Sequence, residues 1–325
     1  MTQEMRTHIL RLLQAGGGAA LTLTLLGFLG SWHWFLDLFS HFRGQYFLAL
    51  AVLSLLFGIR RHWISTIVFL AGAALNIWVL HPLWAGPAGA KVPSAQSFQP
   101  APPLRLITHN LLYSNHNHTL TIDWLRRVQA DAVFLSEVTP PWSNALRLLT
   151  DTYPYQHHSP QLDAFGCALL CRHPWTHLEE KQWGQAAGPS LAAVITWQGR
   201  DLLLLGMHPP PPTSASRSTL RNTTLAQAGA WLAAHPITTH IILGDLNATP
   251  WCHPMRRLLE QTPLHNSADG YGWQPTWNVS SPFFQIPIDH ILISPTLRTT
   301  TFLVGPNLQS DHRPVMVELQ PAGFQ

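Results

Sequence analysis

Long uncharged apolar runs open the chain, and short apolar runs that end in polar residues fill the rest. No formal charge falls between Arg11 and Asp37, between Arg43 and Arg60, or between Arg61 and Lys91. A helical bilayer span needs about 20 apolar residues, with a range of about 17 to 25. The stretches at about 13–36 and 63–84 meet that length. A shorter one at about 44–59 is bounded sharply by Arg43 and the Arg60–Arg61 pair. A signal peptide would carry a single apolar region of about 7–15 residues. The pattern therefore predicts a membrane anchor over 1–85 with three transmembrane helices.

Beyond residue 103 the period changes. Apolar strands are predicted at "LRLITHN" (104–110), "DAVFLSEV" (131–138), "DLLLLGMH" (201–208), "HIILGD" (240–245), "IPIDHILIS" (286–294) and "QSDHRPVMVEL" (309–319). Helical spacing marks "TIDWLRRVQA", "STLRNTTLAQAGAWLAAH" and "MRRLLEQT". Strands and helices do not alternate regularly. That favours an α+β domain, mostly antiparallel, with two sheets and helices outside.

Composition sharpens the division. Only 11% of the 325 residues are charged, against roughly 25% in ordinary soluble domains. The deficit lies in the first 90 residues. Arg6 and Arg11 precede the first span and Arg60 and Arg61 follow the second, while Arg43 and Lys91 lie on the other side. Positive residues stay inside, so the chain after the third span is expected outside. In a bacterial inner membrane that side is the periplasm. Residues 86–103 read as a Pro/Ala-rich linker, leaving 104–325 as the catalytic domain. From 104 on there are 12 arginines and one lysine against nine aspartates and five glutamates, a net charge of −1 with histidine neutral. The three cysteines, Cys167, Cys171 and Cys252, lack zinc spacing. Packing is their expected role, although Cys252 could bridge to either of the others in an oxidising compartment.

The candidate chemistry sits at the strand ends. Asn110, Glu137, His208, Asp245, Asn247, Asp289, Asp311 and His312 each lie there, and converging sheets would gather them into one pocket. Alternation in an extended chain would point Asp245 and Asn247 the same way. Such a pocket has carboxylates, amides and imidazoles but no serine elbow and no P-loop. It would activate water, and its oxygen donors suit Mg²⁺ or Mn²⁺ better than zinc.

In this order, "THN", "SEV", "GDLN", "DHI" and "SDH" resemble the endonuclease/exonuclease/phosphatase superfamily over about 104–319. The resemblance implies a four-layer α/β/β/α sandwich and a metal-dependent phosphoesterase. It implies Glu137 as the principal metal ligand, with Asn110 and Asp311 contributing. Asp245 would orient or deprotonate water, and Asn247 would hold a phosphate oxygen. His312, oriented by Asp289, would bind phosphoryl oxygen, with His208 as a further donor. Some members carry a second acidic residue where this chain has Leu112, so one Mg²⁺ is expected. The substrate stays open between a lipid-linked or small phosphoester and a nucleic acid. Nucleases bind phosphate backbones with cations, which here would fall to a local patch including Arg217 and Arg221. A silent membrane-anchored binding module is the remaining alternative. The expected partners are the lipid bilayer and a phosphoester substrate, with nucleic acid possible.

Overall fold

The computed structural model describes residues 2–86, 102–184, 188–237 and 239–322. The expected linker falls almost wholly outside the described residues, as does Lys91. The chain divides into a helical unit, residues 1–82, and a larger α/β unit that takes nearly all of the rest.

The helical unit contains α1 (Gln3–Leu26), α2 (Trp34–Leu38), α3 (Arg43–Ile59) and α4 (Trp63–Leu80). Three stretches, Gln3–Leu29, Trp34–Ile59 and Trp63–Leu80, are long and apolar enough to cross a membrane. The first starts well before the expected 13 because Thr2 caps it, its side chain accepting from the Met5 N–H. A break near Gly30 interrupts the stretch expected at 13–36. Arg43, expected as a loop charge, is instead 2% exposed. Its Nη1 donates to the Thr24 carbonyl at 2.8 Å, and Asn76 Nδ2 donates to Thr24 Oγ1 at 2.9 Å. This polar layer ties α1, α3 and α4 together, as hydrogen bonds do between apolar helices. A single turn, α5 (Pro82–Ala85), follows.

The α/β unit holds two six-stranded sheets. The first runs in the order β11 (Leu297–Val304), β12 (Val315–Pro321), β1 (Leu104–Asn110), β2 (Ala132–Ser136), β4 (Cys167–Cys171) and β3 (Tyr155–Ser159). The second runs β5 (Trp175–Lys181), β6 (Ser190–Trp197), β7 (Arg200–Gly206), β8 (His240–Asp245), β10 (Asp289–Ile293) and β9 (His265–Asn266). Each sheet has one parallel pair, β1–β2 and β7–β8, and is otherwise antiparallel. A helix joins each parallel pair: α6 (His118–Val128) the first and α8 (Ala215–Ala234) the second. That is the connection parallel strands require.

Alternation sorts the strands' side chains into layers. Leu104, Leu106, Phe134 and Leu169 face Leu204, Leu243 and Ile291 between the sheets. Ile107, Val133 and Leu135 face the other way, under Ile122 and Leu125 of α6 and Trp142 of α7 (Pro140–Leu146). On the far side α8 buries Leu225 and Leu232, beside α9 (His253–Gln261). Cys167, Cys171 and Cys252 are buried, and among the described residues no disulfide joins them. Their role is packing.

Candidate active site

Strand direction brings the polar ends to one edge of the sandwich. Asn110 closes β1 and Glu137 follows β2, its parallel neighbour. Asp245 closes β8 and pairs in register with Asp289, the first residue of β10. His208 follows β7, and Asp311 and His312 precede β12. Pro314 has no N–H to give a ladder, which fits a strand that begins at Val315 rather than near 309. Gly244 lets β8 reach this edge: its φ is +152°, and an added Cβ would lie 1.9 Å from the Met207 carbonyl oxygen.

Asn110 bridges the two sheets. Its Nδ2 donates to Glu137 Oε1 at 2.9 Å and to Asp245 Oδ2 at 3.0 Å. The loop after β1 holds both partners in place. The Leu112 N–H donates to Asn110 Oδ1 at 3.0 Å and the Tyr113 N–H to Glu137 Oε2 at 2.8 Å. Leu112 and Glu137 both have positive φ, +60° and +61°. That conformation costs roughly 1–2 kcal/mol for an L-residue, so the bonds around it outweigh a local preference.

The other half of the site is a chain of carboxylates and imidazoles. His312 Nδ1 lies 2.8 Å from Asp289 Oδ2, and its Nε2 lies 3.6 Å from Asp245 Oδ2. His208 Nε2 lies 3.4 Å from the same Asp245 oxygen. Burial alone would lower the His312 pKa, but the charges of Asp289 and Asp245 outweigh it and push it up to about 10. His208 is also raised, against its burial, by Asp245 and Glu137. Burial would raise Asp245, yet His312 and His208 hold it down at about 2. The arrangement is a buried carboxylate between two imidazoles, both with their pKa pushed upward and His312 the further of the two. Asp289 Oδ1 and His208 Nδ1, both buried, have no hydrogen-bond partner among the described residues.

The remaining expected residues stand differently. The strand ends at Asp245, so alternation does not place Asn247, which turns at φ +49°. Its N–H donates to Asp245 Oδ1 at 2.9 Å, and its Nδ2 to the Pro209 carbonyl at 3.0 Å. Asp311 joins His312, at 4.0 Å, rather than Glu137. Arg217 is exposed, 5.9 Å over the Phe165 ring, which lies 6.2 Å from the His208 ring. Arg221 is 0% exposed and donates to the Asn247 carbonyl, so it supports the turn and does not face a substrate.

Thr276, Trp277 and Ser310 were not among the expected residues. Thr276 Oγ1 accepts from the Asp289 N–H, and Trp277 Nε1 donates to Asp311 Oδ2 at 2.9 Å. Ser310 Oγ donates to the Asn110 carbonyl and accepts from the His312 N–H. Ser310 stands in the quoted "SDH", whereas no motif marked Thr276 or Trp277 in the sequence.

Asp245, Asp289 and His312 offer ligand atoms within 4.8 Å of one another, so this group could hold a metal ion. A protonated imidazole has no lone pair for a metal, and His312 is held protonated. Glu137 and Asp245 offer carboxylate oxygens, the donors a hard cation prefers, with the Asn110 carboxamide between them. Four carboxylates against two imidazoles also leave excess negative charge for a divalent ion to offset. The donor set fits such a cation.

A sequence model of the Endonuclease/Exonuclease/phosphatase family matches residues 107–312. No curated protein matches the chain. Among solved structures, a Danio rerio TDP2 complexed with single-strand DNA product superposes with a TM-score of 0.57 at 17% identity, covering 67% of this chain and 98% of that one. Sphingomyelinase C from Streptomyces griseocarneus gives 0.51 at 17% identity, covering 67% and 99%. An endonuclease/exonuclease/phosphatase from Beutenbergia cavernae gives 0.56 at 18%, covering 69% and 72%. These likenesses are of fold: two sheets packed face to face with helices outside.

Proposed function

This chain belongs to the endonuclease/exonuclease/phosphatase family, and we propose that it is a membrane-anchored, divalent-metal-dependent phosphoester hydrolase. In this reading the anchor is 1–85, the linker 86–103 and the catalytic domain 104–325, on the periplasmic side of a bacterial inner membrane. One observation carries it: the Asp245 carboxylate lies between two imidazoles and accepts from a carboxamide that also holds Glu137.

Glu137 and Asn110 would hold Mg²⁺, or Mn²⁺ in its place, with Asp311 at the edge of the site. When bound, the ion supplies Lewis acidity to a phosphoryl oxygen and lowers the pKa of water. The chain's own groups do the rest. Asp245, with its pKa near 2, is a weak base, so it orients the attacking water more than it deprotonates it. His312 donates from Nε2 to a non-bridging oxygen as charge builds there, while Asp289 fixes its ring through Nδ1. His208 is the second donor. Asn247 spends one amide hydrogen on Pro209 and keeps the other for phosphate.

The substrate we propose is a lipid-linked or small phosphoester. A domain of net charge −1 with one lysine is poorly made for a phosphate backbone. Nuclease activity is the second reading, favoured by the Arg217–Phe165 pair beside His208, a cation and a ring on which a base could stack. The test is a panel of DNA, RNA, phospholipid and polyprenyl phosphate on the full-length protein with Mg²⁺. Turnover of the lipid substrates, lost to a chelator and restored by Mg²⁺ or Mn²⁺, is expected. Glu137→Gln should raise the metal requirement. Cleavage of nucleic acid alone would establish the nuclease, binding without turnover a silent module, and chelator-resistant turnover would sink the metal site.

A further inference from the structure

Two loops are rooted directly on the site. Residues 161–166 hang from Val138, next to Glu137, through the Gln161 N–H to the Val138 carbonyl and the Val138 N–H to the Gly166 carbonyl. Residues 278–285 are closed at their base by the Trp277–Ile286 bridge, and Trp277 also bridges to His312. These loops carry Leu162, Phe283 and Phe284, which are 88%, 75% and 59% exposed. Leu162 and Phe283 are the most exposed large apolar side chains described in the α/β unit. The second loop holds no charged residue and the first only Asp163. Exposed apolar groups on loops rooted at one site mark an interaction surface.

We propose that this rim docks on a lipid surface, Leu162, Phe283 and Phe284 entering the interface so that the pocket takes a phosphoester presented there by a lipid. The proposal rests on the hydrolase reading and supplies its substrate class. The occupant follows from the chain itself. Leu83 already belongs to the α/β unit, its carbonyl accepting from the Gly272 N–H, and it comes three residues after Leu80, the end of the apolar helix α4. The α/β unit is therefore held next to whatever membrane the apolar helices enter. Loops with a single charge between them and apolar side chains such as the Phe283–Phe284 pair suit a bilayer interface, where aromatic rings partition at headgroup depth.

The experiment uses full-length protein in vesicles of phosphatidylethanolamine and phosphatidylglycerol. An environment-sensitive fluorophore is attached through Phe283→Cys, the native cysteines being buried. The control is Gln198→Cys, in the turn ahead of β7 and a strand's length away from His208. Shallow spin-labelled lipids should quench the first label and leave the second bright. The combined Leu162→Ser, Phe283→Ser and Phe284→Ser variant should lose about tenfold or more of its rate on phospholipid in vesicles. Its rate on soluble bis(4-nitrophenyl) phosphate should stay within about twofold, since none of the three is a catalytic group. An unquenched Phe283 label overturns the docking, as does energy transfer between labelled copies that rises with protein density, which would make a second copy the occupant. An unchanged vesicle rate in the triple variant overturns the link between docking and substrate. Quenching without hydrolysis of any phosphoester leaves docking standing and removes the hydrolase reading.

Discussion

In the proposed mechanism His312 concentrates the chemistry of the site, and its hydrogen-bonded partner Asp289 acts through it. A buried carboxylate fixes the ring and stabilises its charged form, so its value vanishes when the ring is gone. His312→Ala is expected to cost a factor of about 10³ in kcat/KM, the scale of losing a preorganised donor to a developing oxyanion. Asp289→Asn should cost much of that alone and add almost nothing to His312→Ala. Full multiplicativity in folded variants would end the pairing. The pH profile gives a second check. Asp245 stays ionised above about 2 and His312 protonated below about 10, so activity should fall on the alkaline side near 10, and His312→Ala should lack that limb. Stability follows the same groups. The contribution of His312 is complete below about 6.5 and is lost as pH rises through about 10. That of Asp245 is present above about 3.9 and is lost as pH falls through about 2. These residues were legible because each interrupts an apolar run. Arg221 was not: its burial follows from α8 packing over the Asn247 turn, which no local pattern in the sequence announces.

At the scale of elements, the segment Thr276–Trp277 does what the strands alone cannot. It holds Asp289 through a hydroxyl and Asp311 through an indole N–H. Trp277→Phe keeps an aromatic body and removes only that donor. A hydrogen bond to a charged group contributes about 1.5–3 kcal/mol to stability, so the melting temperature should fall by several degrees, and kcat of the folded variant should fall as well because Asp311 loses its hold. Unchanged kinetics would make the indole mere packing. The apolar central strands β1, β2, β7, β8 and β10 could be read from sequence because burial on both faces leaves near-continuous apolar runs. The edge strands β3 and β5, "YQHHS" and "WTHLEEK", could not, since partial exposure removes that signal. The start of α1 was missed for another reason. Hydropathy marks where charge is absent, whereas the helix begins where Thr2 caps it.

Across the whole molecule, Arg placement and strand order each have a consequence. With Arg43 buried, Arg6, Arg11, Arg60 and Arg61 are the cations flanking the apolar helices on the side proposed as cytoplasmic. A phosphatase reporter fused after residue 95 should therefore be active, and a fluorescent reporter that matures only in the cytoplasm should stay dark there. The reverse would place the α/β unit inside. In the first sheet β1 lies between β12 and β2. That order leaves the first strand of the α/β unit to be synthesised with an open flank until β12 arrives, some two hundred residues later. Synthesis must deliver Ser310, Asp311, His312 and β12 before that flank closes. Until then Asp245 lacks one of its two imidazoles and Asn110 lacks the hydroxyl on its carbonyl. In the proposed reading the site cannot assemble until β12 has been made.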